Sequence, residues 1–190
     1  MYYSEDDILK LKAVVLYVIN KFNGVDILRL FKIIYFANKD HLARYGRSIV
    51  NDDFRALERG PVPSAIYDAI KVSRGQNKAE NYKSFNPVYT SIETGDDDLS
   101  YIVFPKEKPD MDELSKSDVE CLEKSFQENK DKSFSEISLK SHDSAWHAAR
   151  ENNDSNNPSM DIIEMAIAGG ANSAMVEYIK ERQFINRLIS

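Results

Sequence analysis

Residues 27–45 read ILRLFKIIYFANKDHLARY, and this stretch decides the fold. Ile27, Leu28, Leu30, Phe31, Ile33, Ile34, Tyr35 and Phe36 leave only a thin polar stripe of Arg29, Lys32 and Lys39. A helix that is apolar almost all round must be surrounded by other elements. The segment is therefore expected to be a central, buried helix and the nucleus of the fold. Asp26 supplies its N-cap and Gly46 its stop.

Upstream, Ser4 can cap a helix running from about Asp6 to Phe22, and Glu5, Asp6 and Asp7 suit the positive end of its dipole. Ile8, Leu11, Val15, Val18, Ile19 and Phe22 recur at helical spacing, and Asn23-Gly24 ends the run. Downstream, residues 47–60 read as irregular or short strand. Gly60-Pro61-Val62-Pro63 reads as a rigid break that leads into a helix from Ser64 to about Val72, ending near Gly75.

The pattern changes from Gln76 to Pro109. Two β-rich runs, near Val88–Glu93 and Leu99–Phe104, flank the turn sequence TGDDD, which predicts a hairpin. The last third is helical again. Ser117 with Glu120 and Ser133 with Glu136 match the S-x-x-E capping box, placing helices near 118–129 and 134–141. Asp143 can cap a short helix carrying Ala145, Trp146, Ala148 and Ala149. After the loop ENNDSNNPS, helices are expected from Asp161 to Ala168 and from Ser173 to Leu188, separated by Gly169-Gly170. The expected fold is mainly α: a compact helical bundle around a buried central helix, with a small antiparallel β-hairpin insertion. The expected organisation is one domain over 1–190, with the insertion at 76–109 and a helical extension at 159–190.

The chain has 190 residues, of which 42% are hydrophobic and 29% charged, values of an ordinary globular protein. Its net charge of −6 weighs against sequence-independent nucleic-acid binding, which is built from Lys and Arg neutralising phosphates. The charge is uneven. Residues 1–75 carry twelve Lys/Arg against nine Asp/Glu, and the remainder thirteen against twenty-two. The acidic remainder is either a solvated face or a docking surface for a basic partner, with Asp96–Asp98 as the place to test it. The lone Cys121 rules out an internal disulfide and reads as a small buried hydrophobe. The start MYYSEDDILK is acidic where a signal peptide is basic, and no run of about 18 apolar residues is present. A cytoplasmic protein without membrane contact is expected.

Motifs for nucleotide, metal or acyl chemistry are missing. There is no phosphate-binding glycine loop, no H-E-x-x-H and no G-x-S-x-G. His142 and His147 are five apart and fall on different sides of a helix, a poor metal pair. The expectation is no enzyme, no catalytic residue, no cofactor and no metal. Two constellations remain. The first is YGRSIVNDDFRALERGPVPSAIYDAI, Tyr45 to Ile70. It is either architecture, with Gly46 and Gly60 shaping the backbone and Phe54 and Tyr67 packing, or a display surface of Asp53, Arg55, Glu58 and Arg59. The second is SHDSAWHAAR, Ser141 to Arg150, where Trp146 and His142 are either core and capping residues or part of a protein interface. A hydrolase built on Asp53, Glu58 and His142 is a further alternative, as is a DNA-binding regulator.

LFKIIYFANKDHLARYG followed by DDFRALERGPVPSAIYDAI resembles the opening half of the Panacea domain, also called the SocA-like or phage-associated GepA-like domain. Leu30, Lys32, Ile33, Ile34, Tyr35, Phe36, Ala37, Leu42, Gly46, Ala56, Gly60, Pro61, Val62, Ile66 and Tyr67 fall in step with it, and His142 with Trp146 resembles its later His-x-x-x-Trp feature. The likeness spans about Val25 to Arg150. The stretch Gln76 to Pro109 is longer than in the minimal domain. The resemblance implies a type II antitoxin that neutralises a protein toxin encoded beside it. For the SocA member it also implies an adaptor that hands its toxin to an ATP-dependent protease. Homodimerisation stays open. The candidate partner-binding residues are Lys32, Tyr35, Asp53, Arg55, Glu58, Arg59, His142 and Trp146. Gly46, Gly60, Pro61, Val62 and Tyr67 are structural motif positions.

Overall fold

The computed structural model describes residues 3–95, 102–151 and 155–189. Helix α1 (Glu5–Phe22) begins at Ser4, whose hydroxyl accepts the Asp7 N–H while the Asp7 carboxylate accepts the Ser4 N–H. It ends at Asn23 in the left-handed region. A two-residue strand β1 (Val25–Asp26) leads into α2 (Ile27–Tyr45), capped by Asp26 and stopped by Gly46 at φ 65°. Helix α2 is central. It packs against α1, α5 (Lys116–Asn129), α6 (Phe134–Ser141) and α8 (Ile162–Ala168), and against strand β3 (Gly60–Pro63). The mainly α bundle around a buried helix is the architecture the apolar stretch predicts. One residue departs from the predicted polar stripe: Lys32 is fully buried.

After α2 the Asn38 side chain accepts the N–H groups of Ile49 and Val50, turning the chain back over the helix. Strands β2 (Phe54–Leu57) and β3 then form a hairpin with Glu58 and Arg59 as its two-residue turn. Gly60-Pro61-Val62-Pro63 is thus a strand rather than a break. A two-stranded ladder leaves one side of β3 without a sheet partner, where the missing proline N–H groups cost nothing. The other edge of β2 is covered by residues 158–160: Ala56 N–H donates to the Pro158 carbonyl and Met160 N–H to the Phe54 carbonyl. Helix α3 (Ser64–Ser73) starts beside this hairpin, and Asp52 caps it from a distance by accepting the N–H groups of Ala65 and Ile66.

The second hairpin is displaced from its predicted bounds. Val88 lies in a helical turn, α4 (Asn86–Tyr89), because Pro87 near its start favours helix initiation. The strands are β4 (Ile92–Thr94) and β5 (Ile102–Pro105), and β5 also pairs antiparallel with β1, giving the order β1-β5-β4. Asp96–Asp98 of the predicted turn and Leu99–Tyr101 of the predicted strand lie outside the described residues. Helix α5 begins earlier than expected. Its capping box is Ser115 with Asp118, not Ser117 with Glu120. Tertiary pairing explains the choice: Lys10 reaches the Asp118 carboxylate at 2.8 Å, and Ser117 is taken up by His41. Ser133 with Glu136 caps α6 as predicted. Helices α7 (Ser144–Glu151), α8 and α9 (Ser173–Ile189) follow. Gly169 lies so close to the Lys39 carbonyl that a Cβ there has no room, which lets α8 approach α2.

Candidate functional site

The two constellations singled out in the sequence meet in space. The β2–β3 hairpin is gripped along its backbone by side chains from α6, α7 and the junction between them. Arg150 Nη1 donates to the Ala56 carbonyl at 3.0 Å, and Trp146 Nε1 to the Leu57 carbonyl at 2.9 Å. The His142 ring faces the Glu58 backbone. Ser138 Oγ donates to the Arg59 carbonyl at 3.2 Å. Three carbonyls of the hairpin, those of Ala56, Leu57 and Arg59, are therefore held by three side chains. His142 stacks on Trp146 at 4.0 Å between centroids and 20° between planes, and the Arg150 guanidinium lies 5.2 Å from the Trp146 ring centre.

Helix α2 completes the grip from below. Lys32 Nζ donates to the Pro61 carbonyl at 2.8 Å. One turn on, Tyr35 donates to the Asp143 carboxylate, which Lys39 also meets at 2.6 Å, and Asp143 in turn accepts the Trp146 N–H at the start of α7. The Lys-x-x-Tyr pattern thus ties both the hairpin and α7 to the central helix. Burial pushes the Lys32 ammonium down to about 7. Burial, with Lys32 nearby, also lowers His142, whose Nε2 is buried without a hydrogen-bond partner among the described residues. Burial, then the Asp143 charge, raises the Tyr35 hydroxyl.

Apart from His142 and Trp146, the candidate residues fall into three positions. Lys32 and Tyr35 are buried beneath the hairpin and present nothing to a partner. Glu58 and Arg59 are exposed at the turn. Asp53 and Arg55 pair with each other at the far end of β2, where Asp53 also accepts the Ser159 hydroxyl. Five residues of extended chain separate Asp53 from Glu58, about 16 Å. Asp53, Glu58 and His142 therefore do not converge on one point, and the hydrolase alternative loses its geometry. Among the described residues no group of three or more His, Cys, Asp or Glu side chains could hold a metal ion. Among the structural motif positions, Gly60 has φ +99° and sits against Ser141 and Lys32, and Gly46 sits against Tyr178. Val62 is buried, and Tyr67 packs edge-on against Phe31. The clamping roles of Arg150 and Ser138 are invisible in the sequence. Their targets are main-chain carbonyls, which leave no trace in side-chain patterns.

A family model described as antitoxin SocA-like, Panacea domain, matches residues 30–147, more than half of the chain. The chain belongs to this family. No curated protein and no solved structure matches it. In this Panacea domain the matched span opens on α2 just before Lys32 and closes just after Trp146. It encloses the hairpin and two of the three side chains that clamp it, Ser138 and Trp146. No helix among the described residues is long and apolar enough to cross a membrane.

Proposed function

We propose that this Panacea-domain protein is the antitoxin of a type II toxin–antitoxin pair, and that it neutralises a protein toxin encoded beside it by direct binding, without catalysis. The observation that carries this reading is the clamped hairpin inside the family-matched span. Most polar side chains around it are spent on holding backbone in place. What the turn offers to the outside is the pair Glu58 and Arg59, on a support fixed from both sides. A rigid, pre-organised turn is suited to recognition, because little ordering cost is left to meet on binding. Its charges steer encounter, and neighbouring aromatic and arginine groups supply the binding energy.

Expression of the adjacent reading frame alone, and then together with this chain, tests the proposal. Growth arrest by the neighbour and its relief on co-expression are expected, with the two proteins co-purifying. Relief without co-purification would count against direct binding. A neighbour harmless on its own would remove the antitoxin reading.

A further inference from the structure

Beside the clamped turn lies an open cleft of about 520 Å³. Half-buried Leu28 of α2, Leu57 of β2 and Tyr67 of α3 give it an apolar floor that no described residue covers. Its charged rim is Glu58, Arg59 and Arg150. The Arg59 guanidinium makes no ion pair or hydrogen bond among the described residues; only the Arg59 carbonyl is engaged. Among the described residues Arg150 spends one nitrogen on the Ala56 carbonyl, and a guanidinium carries five donors. Among the described lining residues two cations stand against one acid, which makes this a positive mouth on a chain of net charge −6. An uncovered apolar floor under a guanidinium rim suits an apolar side chain with a carboxylate next to it.

We propose that this cleft takes a segment of the partner toxin in which an apolar side chain stands beside an Asp or Glu. The apolar group fills the floor over Leu28, and the carboxylate pairs with Arg59 and Arg150. This rests on the antitoxin reading and names the surface and chemistry by which it acts. The volume falls within the roughly 300–1,000 Å³ of sites that enclose a small ligand, so a few side chains of a partner fit.

The test is calorimetric titration of the full chain with the purified product of the adjacent reading frame. Arg59→Glu and Leu28→Asp should each weaken binding by roughly tenfold or more. Leu28→Met should bind like the parent chain. Lys180→Glu should too, because Lys180 lies on α9, which meets α2 at its opposite end through Gly46 and Tyr178. Unchanged melting temperatures and Trp146 fluorescence would show that the variants fold. If the parent chain binds and both Arg59→Glu and Leu28→Asp bind equally well, the cleft is overturned while the antitoxin reading stands. If the parent chain does not bind, the antitoxin reading itself fails.

Discussion

Lys32 Nζ donates to the carbonyl of Pro61 at 2.8 Å from a fully buried position. An uncompensated ammonium at such a site is costly, so burial lowers its pKa to about 7. In the unfolded chain the same group titrates near 10.4. Between these values the unfolded state holds a proton that the folded state lacks, so stability rises with pH and is lost as pH falls toward 7. Urea unfolding at pH 7 and pH 9 should show the native chain gaining about 2 kcal/mol more than Lys32→Met over that interval. Equal gains would mean that Lys32 is not neutral in the fold.

Gly60 follows the turn with φ +99°, and a Cβ there would run into Ser141 Oγ and Lys32 Nζ. Gly60→Ala combines a strained backbone with a clash against two buried polar groups. It should cost more than about 2 kcal/mol, read as a lower urea midpoint. Gly75→Ala is the control. Its φ is +71° but nothing lies within 4 Å, so it carries the backbone strain alone and should cost less.

Much of this architecture is visible in the sequence, and the failures are specific. The run Ile27–Phe36 announces a central helix because apolar residues all round a helix leave no solvent face. Ser4, Asp26, Gly46 and Ser133 announce helix ends because caps are local chemistry. Lys32 reads as part of a polar stripe because a lysine does not advertise that its acceptor, Pro61, is 29 residues away. Ser117 reads as a cap because Lys10 and His41 decide between it and Ser115, and both belong to other helices. The candidate site is legible as two segments, but their joining depends on main-chain carbonyls of residues 56, 57 and 59.

Asp118 is the buried centre of another network. It accepts from Lys10 at 2.8 Å and from Ser115 N–H at 2.9 Å, and it faces His41 Nε2 at 3.2 Å. Burial alone pushes its carboxyl up, but the hydrogen bonds from Lys10 and Ser115 outweigh that and hold it below the usual range. Its contribution is therefore present above pH ~4 and lost as pH falls through the lowered value. Asp118→Ala should cost about 3 kcal/mol at pH 7, since it strands Lys10 and removes one half of the α5 capping box. Its acid unfolding curve should be shallower than that of the native chain. A parallel pair of curves would place the acid sensitivity elsewhere.

Cys121 is buried in α5, and burial followed by the charge of Asp40 pushes its thiol up to about 12. Reactivity follows the thiolate, so a thiol reagent at pH 8 should leave the folded chain unlabelled and react fully in urea. Labelling at a rate proportional to reagent, without denaturant, would show that the α2–α5 seam opens locally.

Trp146 is the single tryptophan of the chain, and its Nε1 holds the Leu57 carbonyl. Trp146→Phe keeps an aromatic face for His142 to stack on but removes the donor. The Leu57 carbonyl then loses this side-chain donor, at a cost of about 1 kcal/mol. The loss should be local, so amide exchange should accelerate across residues 56–60, while the core amides of α1 and α2 change only in proportion to global stability. If the clamp is what pre-organises the turn, toxin binding should weaken together with that exchange protection. Faster exchange with unchanged binding would separate the turn's rigidity from its recognition. It would leave Arg59 and Leu28 to act through contact alone.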